Sequence, residues 1–186
     1  MKLIRHSLAA VCLSLAAGSV LPALAADSVM VGGAAMYPSK TIVENAMNSQ
    51  DHTTLVAAVK AAGLVDTLNS KGPFTVFAPT NAAFAALPAG TVDSLLKPEN
   101  KATLSKILTY HVVAGNHTGH ELMAAAKKGG GWTKLTSVEG EPLIIKEHGE
   151  MLTVTDAKGV SSAVTIADVK QSNGVIHVVD KVLMPK

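Results

Sequence analysis

Apolar positions recur every three to four residues in the first half of this chain and alternate in the second, so helices are expected before strands. Ahead of both lies an apolar run from Leu8 to Leu21, preceded by the basic start Met1–Arg5 and followed by Ala23 and Ala25. A membrane span needs roughly 20 apolar residues, whereas a shorter run ending in small residues is what signal peptidase cuts. Residues 1–25 are therefore expected to form a cleavable signal peptide. Residues 26–38, with Gly32-Gly33 and Pro38, read as a flexible leader, and residues 39–186 as a single domain.

Within that domain, Ile42, Val43, Ala46 and Met47 share one helical face, and Leu55, Val56, Val59 and Ala62 share another, which Gly63 ends. Leu64–Leu68 adds a short turn of helix before Lys71-Gly72-Pro73 breaks the chain. Phe74–Ala78 reads as a strand, and Thr80 as the N-cap of a helix over Ala82–Leu87. Asn100–Leu108 is amphipathic and runs into a predicted strand, Tyr110–Val113. Thr118 and Glu121 form a capping-box pattern for a helix that stops at Gly129-Gly130-Gly131. Beyond it, Leu143–Lys146 and Met151–Thr155 flank a turn at Gly149, Ser162–Ala167 alternates, and Asn173-Gly174 signals a turn into Val175–Leu183. Helices first and strands later, without a βαβ rhythm, predict an α+β fold.

Charge changes the picture once the signal is removed. Lys2 and Arg5 leave with it, so the 16 basic residues fall to 14, equal to the 14 acidic ones, and no arginine remains. A neutral chain without arginine lacks the clustered basic face that nucleic-acid binding uses, so no nucleic-acid partner is expected. Nor is a stable membrane span expected after cleavage. Cys12, the only cysteine, lies in the signal, so stability rests on the core rather than on disulfides. Hydrophobic residues make up 48% and aromatics 3%, so Val, Leu, Ile and Ala do the packing, and an aromatic-lined sugar groove is not expected.

Candidate chemistry is sparse. His111 and His177 are the obvious general bases, but both lie in β-rich apolar runs, and no nucleophile or orienting partner is fixed by spacing. No Gly-x-Ser-x-Gly elbow occurs. The chain reads as a non-enzyme that needs no cofactor. His117 and His120 are weak metal candidates: they straddle the cap Thr118, and a third ligand is missing. They motivate one alternative, a periplasmic carrier of a metal or small ligand. A second alternative is an accessory subunit of an envelope complex. Asn81 reads as a turn-tying side chain, and Asp180 as a strand-end partner for a neighbouring lysine.

Three segments carry a family resemblance. Phe74-Thr75-Val76-Phe77-Ala78-Pro79-Thr80-Asn81-Ala82-Ala83-Phe84, then Tyr110-His111, then Asn173-Gly174-Val175-Ile176-His177-Val178-Val179-Asp180 with the residues to Pro185, resemble in order and spacing the hallmark segments of fasciclin-like domains. The likeness runs from about Ser39 to Pro185. It implies a wedge-shaped antiparallel β-sandwich with an N-terminal helical layer, in an exported protein, periplasmic or secreted, that works in adhesion or surface binding. The partner it implies is a protein or polysaccharide surface. Tyr110 and His111, with Asp168 and Val169 in the acidic-aliphatic stretch before the last motif, are the surface contacts the resemblance suggests. Thr80, Asn81, Asn173, Gly174, His177 and Asp180 are expected to be mainly structural.

Overall fold

The computed structural model describes residues 28–186, so the expected signal peptide over 1–25 lies outside the described residues. The helical half comprises β1 (Val29–Val31), β2 (Ala34–Met36), α1 (Ile42–Ala46), α2 (Thr53–Ala62), α3 (Val65–Leu68), β3 (Phe74–Pro79), α4 (Asn81–Ala85), α5 (Thr91–Leu95) and α6 (Lys101–Tyr110). There follow β4 (Val112–Ala114), α7 (Gly119–Lys128), β5 (Trp132–Thr136), β6 (Pro142–His148), β7 (Met151–Thr155), β8 (Ser161–Gln171) and β9 (Gly174–Val179).

The leader is corrected first. Residues 29–36 form a hairpin, and Val31 and Met36 are buried in the core. Gly32 and Gly33 have φ of +56° and +74° and are the two central residues of its tight turn, a geometry that glycine adopts without steric cost. The Ser49 hydroxyl donates to the Val31 carbonyl at 3.1 Å and fastens the hairpin to the helical layer. Two glycines that read as flexibility are the reason the segment can fold back.

The strands form one seven-stranded sheet in the order β4-β3-β9-β8-β7-β6-β5. All its pairs are antiparallel except β3–β9, which run parallel with Phe74 opposite Gly174 and Pro79 opposite Val179. The expected antiparallel sandwich is therefore mixed, with one parallel pair toward the β4 end of the sheet, within the α+β class. The physical reason lies in burial. Val76 and Ala78 of β3, with Ile176 and Val178 of β9, face the core beneath the helices. Phe77 and Val179 point the other way, into a second core with Tyr110, Leu143, Ile145 and Val154. Strands buried on both faces read as continuous apolar runs, and such strands are the ones that pair in parallel.

The second core is enclosed because the sheet curls on itself. Its two ends approach at a bridge between Val113 and Ser137, where the Val138 N–H donates to the Val112 carbonyl at 2.7 Å. Leu122 of α7 packs into this core. The curl uses irregularities in β8, whose pairing with β9 shifts register between Val164 and Ile166 and again between Ile166 and Val169.

Candidate functional site

Tyr110 and His111 lie at the junction of α6 and β4 and not in a strand: Tyr110 is the last residue of α6, and His111 caps its C-terminus. Their expected role as surface contacts does not hold, since Tyr110 is 0% and His111 2% exposed. The Tyr110 hydroxyl donates to the Pro142 carbonyl and accepts from the Ala157 N–H, both at 2.8 Å, so it ties α6 to β6 and to the turn after β7. Burial pushes its pKa up to about 12, the Ala157 hydrogen bond acting against it. His111 Nδ1–H donates to the Ile107 carbonyl at 2.8 Å, and Nε2 accepts the Leu183 N–H at 2.9 Å. Both ring nitrogens are used, and burial lowers the His111 pKa to about 4, against the opposing pull of the Ile107 bond and the Asp156 charge.

Asp168 and Val169 sit on the irregular part of β8. Val169 is wholly buried in the core under the helices, which removes it as a surface contact. Asp168 is half-buried with φ +60°, a left-handed conformation that Asp tolerates better than most residues. The kink aims its carboxylate at α7, where Oδ1 accepts the Gly119 N–H at 2.6 Å. Its own N–H donates to His177 Nδ1 at 3.3 Å, while His177 Nε2–H donates to the His117 carbonyl at 2.8 Å. The imidazole, stacked on Phe77 at 5.6 Å, thus joins β9, the β8 kink and the loop before α7. Burial lowers its pKa, opposed by the His117 hydrogen bond and the Asp168 charge. Neither His111 nor His177 has a ring nitrogen left to exchange a proton with a substrate.

The remaining motif residues are ties between segments. Thr80 caps α4 by accepting the Ala83 N–H at 3.3 Å. Asn81 accepts the Thr54 N–H at 3.0 Å and donates to the Gln50 carbonyl at 2.7 Å, anchoring the start of α2. Asn173 accepts the Ile42 N–H at 3.0 Å and donates to the carbonyls of Leu68 and Ser70 at 2.7 and 3.0 Å, so one buried amide joins the start of α1 to the end of α3. Gly174 lies so close to β3 that a Cβ there would fall on the Phe74 carbonyl. Asp180 differs from expectation. It makes no ion pair among the described residues, and instead accepts from the Ser162 hydroxyl at 2.9 Å and the Ala163 N–H at 2.8 Å.

His117 and His120 are not drawn together with a third ligand: no group of three or more His, Cys, Asp or Glu side chains converges among the described residues. His117 Nε2 lies 3.2 Å from the Ala114 carbonyl, and His120 is exposed beside it on the first turn of α7.

A surface site appears where the sequence reading had none. Along β5, Leu135 turns toward the second core while Trp132, Lys134 and Thr136 face solvent. Register places Trp132 opposite Lys146 of β6, which lies opposite Thr153 of β7, and His148 opposite Met151. The outer face of β5–β7 therefore carries Trp132, 51% exposed, and Met151, 60% exposed, among Lys134, Lys146 and His148. Exposed aromatic and Met side chains are enriched where proteins meet partners. Trp132 was missed because β5 has a weak apolar alternation and follows directly on three glycines.

Comparison with known proteins agrees with the fold. A profile of the fasciclin domain matches residues 50–185. Protein sll1483 of Synechocystis sp. is 51% identical over 158 residues, spanning 85% of this chain and 81% of that protein. Immunogenic protein MPB70 of Mycobacterium bovis is 34% identical over 198 aligned positions, spanning 96% of this chain and 94% of that one. In structure, the chain matches the domain pair of the insect cell adhesion molecule Fasciclin I with a TM-score of 0.68 at 19% identity. That match covers 78% of this chain and about half, 51%, of the solved one.

Proposed function

Since the chain belongs to the fasciclin domain family, known in cell-adhesion and surface proteins, we propose that it is an exported, non-catalytic adhesion protein that binds a surface partner through the outer face of β5–β7. The observation that carries this reading is Trp132, a half-exposed aromatic at the start of β5, with Lys146 opposite it, Lys134 two residues on along the same face, and Met151 further out on β7. Tryptophan supplies a large, rigid contact area, and such residues dominate binding energy when a partner covers them. The motif residues act one layer deeper: they hold the sheet that presents the face. Export is proposed from the signal-like residues 1–25, with cleavage after Ala25, which the mass of the protein recovered from the exported fraction tests directly. Among the described residues no helix is long and apolar enough to cross a membrane.

The partner is a protein or polysaccharide at a cell surface or in a matrix. The test is adhesion of the purified protein to envelope material from its own source, treated beforehand with protease or with periodate. Wild type binds, and one of the two treatments abolishes capture. Trp132→Ser weakens it by about 30-fold, the loss expected of a central aromatic contact. Undiminished binding by the variant would refute the assignment of this face.

A further inference from the structure

A second, chemically different site lies on the other side of the molecule's β7–β8 turn. There α4 and the residues after it, the turn over residues 156–160 and the segment that follows β9 enclose a half-open groove of about 360 Å³. That lies in the range of small-molecule sites. Its floor is apolar, made by Ala83, Leu87, Val160, Val182 and Met184. Lys158 and Lys181 stand exposed on its rim, and neither makes an ion pair among the described residues. Lys181 Nζ donates only to the Ser161 carbonyl, at 3.1 Å.

The one acid in the lining does not oppose this charge from an open position. Asp156 is buried, and its carboxylate is engaged by backbone: Oδ1 accepts the N–H groups of Lys158 at 2.9 Å and Val160 at 2.8 Å, and Oδ2 accepts the Met184 N–H at 3.0 Å. Those three bonds shape the groove and leave the two ammonium groups as its free charges. An apolar floor beneath two cations fits a molecule with a short hydrocarbon body and an anionic end. We propose that this groove binds a medium-chain fatty carboxylate, with the chain over Leu87, Val182 and Met184 and the carboxylate between Lys158 and Lys181.

The probe is decanoate below its micelle concentration, read by backbone amide NMR shifts of the purified protein. Saturable shifts centred on the amides of Val160 and Met184 are expected, with a Kd on the order of 1 mM for a ligand of this size. Octanoate binds about 16-fold more weakly, because each buried methylene contributes about a fourfold factor. The Lys158→Gln/Lys181→Gln variant binds decanoate about tenfold more weakly. Lys158→Gln alone, which removes no side-chain hydrogen bond, gives part of that loss with an unchanged spectrum of the free protein. The proposal is overturned if decyltrimethylammonium binds as well as decanoate, if the double variant keeps wild-type affinity, or if the shifts fall outside the groove. Adhesion through Trp132 is unaffected by any of these results.

Discussion

Acidifying a solution of this protein from pH 7 to pH 5 should remove stability before most of its carboxylates take up protons. The cause is His111, which is enclosed with both nitrogens bonded in the neutral form. Protonation would place an N–H where Nε2 now accepts from Leu183. Its pKa is about 4 in the fold against 6.5 in the unfolded chain, so between these values the unfolded state binds more protons than the native one. The stabilisation is complete above pH 6.5 and is lost progressively as pH falls toward 4. Integrated between pH 7 and pH 5, the loss is about 2 kcal/mol from this residue. Burial shifts His52 and His177 in the same direction, so they add to it. Backbone hydrogen bonds at Thr41, Thr118 and Lys186 lower the carboxyl groups of Glu44, Glu121 and Glu141, so their contribution is lost at lower pH, where carboxylates take up protons. Urea unfolding followed by circular dichroism at fixed ionic strength measures the slope, and His111→Gln isolates one contribution. The variant is less stable at pH 7, and its loss on going to pH 5 is smaller by about 2 kcal/mol. A His111 ring proton titrating near 6.5 in the folded protein, or an unchanged slope in the variant, would refute the reasoning.

Other perturbations separate the ties from one another. Tyr110→Phe leaves the Ala157 N–H and the Pro142 carbonyl without their partner and should cost about 1–3 kcal/mol in urea unfolding. With a folded pKa near 12 against 10 unfolded, the stability that Tyr110 contributes is present below pH 10 and is lost as pH rises toward 12, which ultraviolet titration detects as ionisation coupled to unfolding. Asp168→Ala removes the acceptor for Gly119 from a residue at positive φ, so a thermal melt should show a loss of about 1–2 kcal/mol, whereas Asp168→Asn retains most of the stability. Gly174→Ala forces β3 and β9 apart and should cost about 3 kcal/mol or prevent folding, as soluble yield and circular dichroism would show.

Features governed by neighbouring residues were legible in the sequence. The capping box of Thr118 and Glu121, the left-handed Gly63 at the end of α2, the hairpin turn at Gly149 and the Asn173-Gly174 turn all follow from local backbone chemistry. What failed depended on distant partners. Tyr110-His111-Val112-Val113 has the composition of a strand, yet Ile107 and Leu108 keep its first two residues on the helix through bonds to the His111 N–H. The parallel pairing of β3 with β9 joins residues 100 positions apart; the apolar runs of both strands signal burial on two faces but not which strand each pairs with. Among the candidate contacts, Asp168 also carries a structural bond that the sequence did not show. Its left-handed backbone and its bond to Gly119 exist only once α7 has docked beside β8. Trp132 needed the register of β5 on β6 before its exposure could be seen.

The parallel pair of β3 and β9 also bears on how the protein fails. β3 and β9 form a wall shared by two cores, with Val76 and Ile176 on one side and Phe77 and Val179 on the other. A structure in which the helical layer has melted would leave one side of that wall bare. Opening the curled sheet would do the same to the opposite side. Because the two cores share these strands, losing either one removes burial from the wall of the other, and cooperative unfolding is expected. For the adhesive role proposed above, the expected consequence is a single rupture event when the domain is pulled between two surfaces, rather than gradual yielding.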